Sequence, residues 1–242
     1  SSIARTARRL SEEKDLMTEL HDALPEFASF QQWFHPRVTN WMPLQWKGFS
    51  QTTRYTYIFP VTEDREALWA GARESVRRAI RKARKELEVV EHEDVQAFLE
   101  LEKRTFSRQG MRLPFSAAAL ERLDSAAAEH GVRKILCAVD SAGRVHAGAY
   151  VVWDATTVYF LLRGSDPDLR RSGAASLIAW AAIELASSQG KAFDFIGSWE
   201  EPIERFVRAF GGHQTPFFEV TKMNSRVVRG YRSLWKLTHP HG

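Results

Sequence analysis

Apolar residues change their period along this chain, and the changes mark out its elements. Over residues 3 to 34, Leu10, Leu16, Leu20, Leu24 and Phe27 recur at loose helical spacing, so a weak helix is predicted, broken by "HPRVTNWMP". Tyr55, Tyr57 and Phe59 then alternate at period two, which predicts a strand closed by Pro60. Thr62 or Asp64 can cap the next helix, whose stripe of Leu68, Ala72, Val76, Ile80, Ala83 and Leu87 carries it to about Leu87. Further helices are expected at about 93 to 106, burying Val95, Phe98, Leu99 and Leu101, and at about 116 to 130, where Gly131 ends the pattern. The signal then becomes three short runs, "VRKILCAVD", "VHAGAYVVWD" and "TVYFLLRG", separated by "SAGR" and "AT". Such runs joined by tight polar turns predict an antiparallel meander. A helix from about Gly173 to Ser188, the strand "AFDFIG", a short helix "PIERFVRAF" and a strand "PFFEVTK" complete the order.

Composition narrows this picture without changing it. The chain has 242 residues, 44% of them hydrophobic, enough for a packed core, and its formal charge is only +4. The single cysteine, Cys137, lies in the apolar run "KILCAV" and leaves no internal disulfide framework or cysteine-based zinc cluster. No run of eighteen apolar residues and no signal-like opening stretch occurs, so a cytoplasmic protein without a membrane span is expected. The charge that matters is local. Arg73, Arg77, Arg81 and Arg84 fall three or four residues apart, with Arg78, Lys82 and Lys85 beside them, which makes one broad helix face positive. That face suits a polyanion, and it equally suits a solvated surface whose arginine stems cover the core edge.

The junction "LLRGSDPDLRRSGAASLIAW" joins the last meander strand to the following helix. A helix start offers unpaired N–H groups and a positive dipole end, a glycine permits close approach, and two arginines add charged donors, so the junction reads as an anion cradle or as a capped, solvated helix start. Written as Arg170-x-x-Gly173-x-Ala175, it resembles the phosphate-binding loop of the GNAT superfamily of N-acyltransferases. "WKGFSQTTRYTY", "VRRAIRKARKE", "FDFIGSWEE" and "IERFVRAFGG", in that order across about 44 to 222, resemble the Fem family, a branch of the GNAT fold. The resemblance implies an α+β, GNAT-like mixed sheet flanked by helices. It divides the chain into a helical N-terminal segment at 1 to 60, an acyltransferase core at 61 to 222 and a basic C-terminal helix or tail at 223 to 242.

The Fem resemblance also implies an activity: transfer of an aminoacyl group from aminoacyl-tRNA to the amine of a peptide, or of a peptide on a carrier protein, in antibiotic or cell-wall assembly. Small single-module members of the family fit this length. On this reading Arg163, Arg170, Arg171, Gly173 and Ala174 hold the donor, and Arg77, Arg81, Lys82 and Lys85 meet tRNA phosphates. Lys47, Arg54, Trp199 and Phe206 face the acceptor. Asp194, Ser198 and Glu200 are the candidate catalytic groups, with Asp194 equally readable as a structural acceptor of backbone groups. A backbone N–H on "VYFLLRG" would meet the oxyanion. The family's bridge-building enzymes carry a Phe-Lys pair where this chain has Phe206 and Val207, so no catalytic lysine carries over.

Two other functions remain open on the sequence. Coenzyme A is the donor in an N-acyltransferase reading, which the Arg170 to Ala175 loop supports equally; the lack of a tyrosine after "FDFIGS" within the core speaks mildly against it. A non-catalytic RNA-binding module on a GNAT-like fold is the other. No nucleophile elbow, paired-histidine zinc motif, Walker loop or complete dinucleotide fingerprint occurs, and no metal or resident cofactor is expected. The segment "RVVRGYRSLWK" at 226 to 236 reads as an amphipathic helix that docks on the core.

Overall fold

In a computed structural model, the protein is described at residues 2–62, 64–108, 110, 113–197 and 200–224. The segment 226 to 236, Ser198 and Trp199 lie outside the described residues. In chain order the elements are α1 (Ser2–Asp22), β1 (Ser29–Trp33), α2 (Met42–Trp46), β2 (Ser50–Phe59), α3 (Arg65–Gly71), α4 (Glu74–Ala83) and β3 (Leu87–His92). Then come α5 (Val95–Arg108), α6 (Ala117–Glu129), β4 (Arg133–Asp140), β5 (Val145–Trp153) and β6 (Thr157–Ser165). A single 3-10 turn at Arg170–Ser172 leads into α7 (Ala174–Ser188), followed by β7 (Ala192–Asp194), α8 (Glu201–Arg208) and β8 (His213–Met223). The chain divides into two compact units, one of residues 1–55 with 215–242 and one of residues 56–214.

The larger unit carries a mixed sheet in the order β2-β7-β6-β5-β4-β3. β3 to β6 form an antiparallel meander, β6 and β7 run parallel, and β7 is antiparallel to β2. Because strand side chains alternate between faces, β4 sends Leu136 and Ala138 into one core and Ile135 and Cys137 into another. The first core is roofed by α7, whose Ala179, Ala182 and Ala186 are at most 1% exposed; small residues on helix and strands let the two surfaces approach closely. Val76, Ile80 and Ala83 of α4 close the same core, and Trp69 meets Trp180 edge-on at 5.0 Å. The second core holds Phe98, Leu99 and Leu120 from α5 and α6 against Tyr150 of β5. Each such fully buried large side chain contributes about 1.5–3 kcal/mol.

Three expectations from the apolar pattern are corrected. The stripe from Leu68 to Leu87 is interrupted where Ala72 is extended and the Arg73 N–H donates to the Ala209 carbonyl at 2.9 Å, so α3 and α4 are separate helices. Leu87 opens β3 instead of closing a helix, and the meander has four strands where three were expected, because residues 87 to 92 pair with β4 along their whole length. The long N-terminal helix stops at Asp22, after which Ser29–Trp33 forms a strand.

In the smaller unit β1 pairs antiparallel with β8, from Ser29 opposite Met223 to Trp33 opposite Glu219. Leu44, Phe49 and Val220 form its core, with Phe27, Phe30 and Trp41 packed around them. Arg54 and Gln31 converge on the buried carboxylate of Glu219, and Arg54 also lies 5.3 Å from the centre of the Trp33 ring.

Candidate active site

The site begins where two parallel strands part. β6 and β7 pair only at Thr157 with Ala192, Val158 with Phe193 and Tyr159 with Asp194. Two contacts hold the turn: Asp194, 4% exposed, accepts from the Thr56 hydroxyl of β2 at 2.5 Å and from the Ile196 N–H at 2.7 Å, and Ile196 is left-handed at φ 63°. This turn takes the chain away from β6, while the Phe195 N–H bonds to the Tyr57 carbonyl at 3.2 Å. Among the described residues β6 continues alone on that side to Ser165. On its other side its register against β5 shifts by one residue, Tyr150 facing Leu162 and Val151 facing Phe160, so Leu161 is a bulge with no partner opposite. A cavity of about 450 Å³ opens here, walled by Phe160 to Ser165, by α5, and by the first turns of α7 and α8.

One carboxyl group sets the electrostatics of this cavity. Glu102 of α5 stands in its wall at 1% exposure, and its Oε1 has no hydrogen-bond partner among the described residues. It reaches this depth because α5 lies tightly on the sheet: a Cβ at Gly164 would meet Leu101 at 3.1 Å and the Glu102 nitrogen at 3.3 Å, and one at Gly148 would meet Leu101 at 3.2 Å. Thr105, one turn on, pins the same helix. Its hydroxyl accepts the Ser165 N–H at 3.0 Å and lies 3.1 Å from the Ser165 carbonyl oxygen. Burial pushes the Glu102 carboxyl up to about 8, against the pull of the Arg163 guanidinium. Arg163 is itself shifted down by burial and held up by Glu102 and Glu200. The cavity thus joins an unpaired strand edge, a bulge and a carboxyl whose proton is exchangeable near neutrality, the equipment for moving a proton during acyl transfer.

Comparison with known proteins agrees with the geometry. Residues 70–202, more than half of the chain, match the family model of the acetyltransferase (GNAT) domain. The chain belongs to the GNAT family. Its fold is that of FemX, whose crystal structure superposes with a TM-score of 0.67 at 15% identity over 86% of this chain and 77% of that one. L-PGS from Bacillus licheniformis follows at 0.53, 10% identity, 83% of this chain and 70% of its own. The C-terminal domain of a putative lysylphosphatidylglycerol synthetase from Agrobacterium fabrum reaches 0.52 at 12% identity, over 81% and 69%. No curated protein matches the chain.

Within this GNAT domain the residues singled out in the sequence fall into distinct places. Arg163, Glu200 and Phe206 meet at the cavity. Glu200 is exposed just before α8, and Phe206 stacks edge-on against Phe210 at 5.1 Å. Asp194 is engaged by Thr56 and Ile196, the structural reading weighed for it. Arg170 and Arg171 are exposed, and Arg170 Nε donates to the Pro167 carbonyl at 3.0 Å. Gly173, at φ +83°, has its open side against α4: a Cβ there would lie 2.6 Å from the Ala79 carbonyl oxygen. The close approach it permits is therefore to a helix of the same chain, and the adjacent Ala174 N–H is taken by the Ser172 hydroxyl at 3.3 Å.

The basic helix is partly engaged within the molecule. Arg77 donates to Glu74 and to the Trp69 and Ala70 carbonyls, Arg81 pairs with Glu74, and Lys82 donates to the Arg171 carbonyl at 2.7 Å. Lys85 is exposed, with no side-chain partner among the described residues. Lys47 and Arg54 belong to the smaller unit, where Lys47 pairs with Asp22 at 3.1 Å and Arg54 with Glu219. Val207, which follows Phe206, is 0% exposed in the core. Burial pushes the Cys137 thiol up to about 11, which leaves it inert as a nucleophile. Glu102 escaped the sequence reading; its only signal was an acid that follows Leu101 and lies three and four residues from Leu99 and Phe98, on the apolar face of the helix.

Proposed function

We propose that this GNAT protein transfers an aminoacyl group from aminoacyl-tRNA to the amine of a peptide or carrier-bound peptide. The observation that carries the acyltransfer reading is the edge that β6 leaves unpaired beyond Tyr159 among the described residues, with the bulge at Leu161 on its β5 side, opening onto a cavity of about 450 Å³. A carbonyl laid along that edge meets backbone N–H donors fixed in place, so the negative charge that forms on its oxygen as the amine attacks is stabilised without reorganisation. The amine enters beside Glu102, whose carboxylate takes the proton that nitrogen sheds as the C–N bond forms and passes it to the departing ribose oxygen as the ester C–O bond breaks. The aminoacyl-tRNA part of the proposal draws on the ordered Fem-like motifs and the FemX-like fold.

A second reading, N-acyl transfer from coenzyme A, is favoured by the description of the matched family model as an acetyltransferase domain. Against it, the space beside Gly173 and the Ala174 N–H are already used inside the chain, which weakens the loop as a pyrophosphate cradle. One assay separates the two. The protein is incubated with a panel of amines and either bulk tRNA charged with labelled amino acids or labelled acetyl-CoA, and amide-bound label is counted. Label from charged tRNA supports the proposal, label from acetyl-CoA alone replaces it with the second reading, and label from neither overturns both.

A further inference from the structure

The Glu102 cavity contains an arrangement of charges that acyl transfer in general does not require. Arg163 lines the cavity together with two acids, Glu200 and Glu102, and both act on its charge, Glu102 keeping its proton at rest. The residues that β5 (Ala147, Gly148), α7 (Ala175, Ile178) and the Pro114–Phe115 turn present to the cavity carry no charge. An anion entering this space would face the charge of Glu200, and a ligand without an N–H or O–H donor would leave Glu102 Oε1 buried with nothing to bond. A cation is the ligand that completes the arrangement. When Glu102 releases its proton, one new negative charge appears in the wall to match one positive charge on the ligand, and the orphaned oxygen gains a donor.

We infer that the cavity is an ammonium-binding site, in which Glu102 ionises to hold a primary ammonium group of a substrate. Within the proposed function, on which the identity of the substrate rests, that group is the α-ammonium of the aminoacyl donor or the ammonium form of the acceptor. The proton balance is explicit: a ligand ammonium enters, one proton leaves Glu102 for the solvent, and the net charge of the cavity is unchanged. Affinity therefore rises with pH below the Glu102 titration and levels off above it.

Isothermal titration calorimetry at pH 6 and pH 7, in buffers of different ionisation enthalpy, tests this without any transfer assay. The probes are alaninamide for the donor's α-ammonium, Nα-acetyl-lysine amide for an acceptor ammonium, and N-acetylalaninamide as the uncharged control. The expected result is binding of one or both ammonium probes with close to one proton released per molecule, and a Kd that falls about tenfold from pH 6 to pH 7. Glu102→Gln should abolish the proton release and flatten the pH dependence, with melting behaviour showing that the variant is folded. Whichever ammonium probe binds in this way identifies the substrate whose amine the site holds. No binding, binding without proton release, equal binding of N-acetylalaninamide, or a folded Glu102→Gln protein that behaves like wild type overturns the inference. A transfer assay that fails while this binding stands would overturn the proposed function and leave the ammonium site in place.

Discussion

Glu102→Gln tests the electrostatics of the cavity through the stability of the fold. In the folded protein, burial holds this carboxyl at about 8, against an ordinary value of 4.5, so between those two values the folded state binds a proton that the unfolded state has lost. Stability then falls as pH rises through that window and is flat above it, since the slope follows the protons bound in the unfolded state minus those in the folded state. With each unit equivalent to about 1.4 kcal/mol, the buried acid costs the fold about 3 kcal/mol at pH 7 and about 5 kcal/mol above pH 8. Glutamine copies the shape of the protonated acid and does not titrate. The variant should match wild type near pH 5 and exceed it progressively up to pH 9. Urea unfolding of both proteins at each pH measures the difference, in which all other titrating groups cancel because both proteins share them. Parallel curves over the whole range would refute the reasoning, because they would mean that Glu102 is as well solvated in the folded chain as in the unfolded one. A fold that carries so costly an acid keeps it for something other than stability.

Two further substitutions separate structural from functional roles around the same site. Gly173→Ala combines a left-handed φ of +83° with a Cβ placed 2.6 Å from the Ala79 carbonyl, so it should destabilise the protein by at least about 1–2 kcal/mol in thermal or urea unfolding. Unchanged stability with weaker donor use would restore the glycine to a ligand-binding role. On α4, Arg77→Ala should lower the melting temperature because it removes one of the two arginines on Glu74 and the donor to the Trp69 and Ala70 carbonyls, whereas Lys85→Gln should leave melting unchanged and weaken tRNA binding at low salt. Lys85→Gln with an unaltered salt dependence of tRNA affinity would return that residue to the solvated surface.

The sequence by itself determined the elements whose patterns are local and repeated. Short apolar runs identified β4, β5 and β6, their tight turns made the meander antiparallel, and the apolar run after Gly173 marked α7. The ordered motifs carried the acyltransferase family, and Arg163, Glu200 and Phe206, candidates in the sequence for donor, catalytic and acceptor roles, line one cavity. Tertiary structure decided what depended on partners distant in the chain. The break between α3 and α4 comes from a hydrogen bond between Arg73 and Ala209, and β3 exists because β4 lies beside it. The splay that makes the site depends on Thr56 meeting Asp194, residues separated by 138 positions. Glu102 reads in sequence as one more acid on an amphipathic helix. It becomes a buried, proton-exchanging group because Gly148 and Gly164, on two strands of the sheet, leave room for α5 to lie flat against them, and the energy of a charge is set by what surrounds it in space.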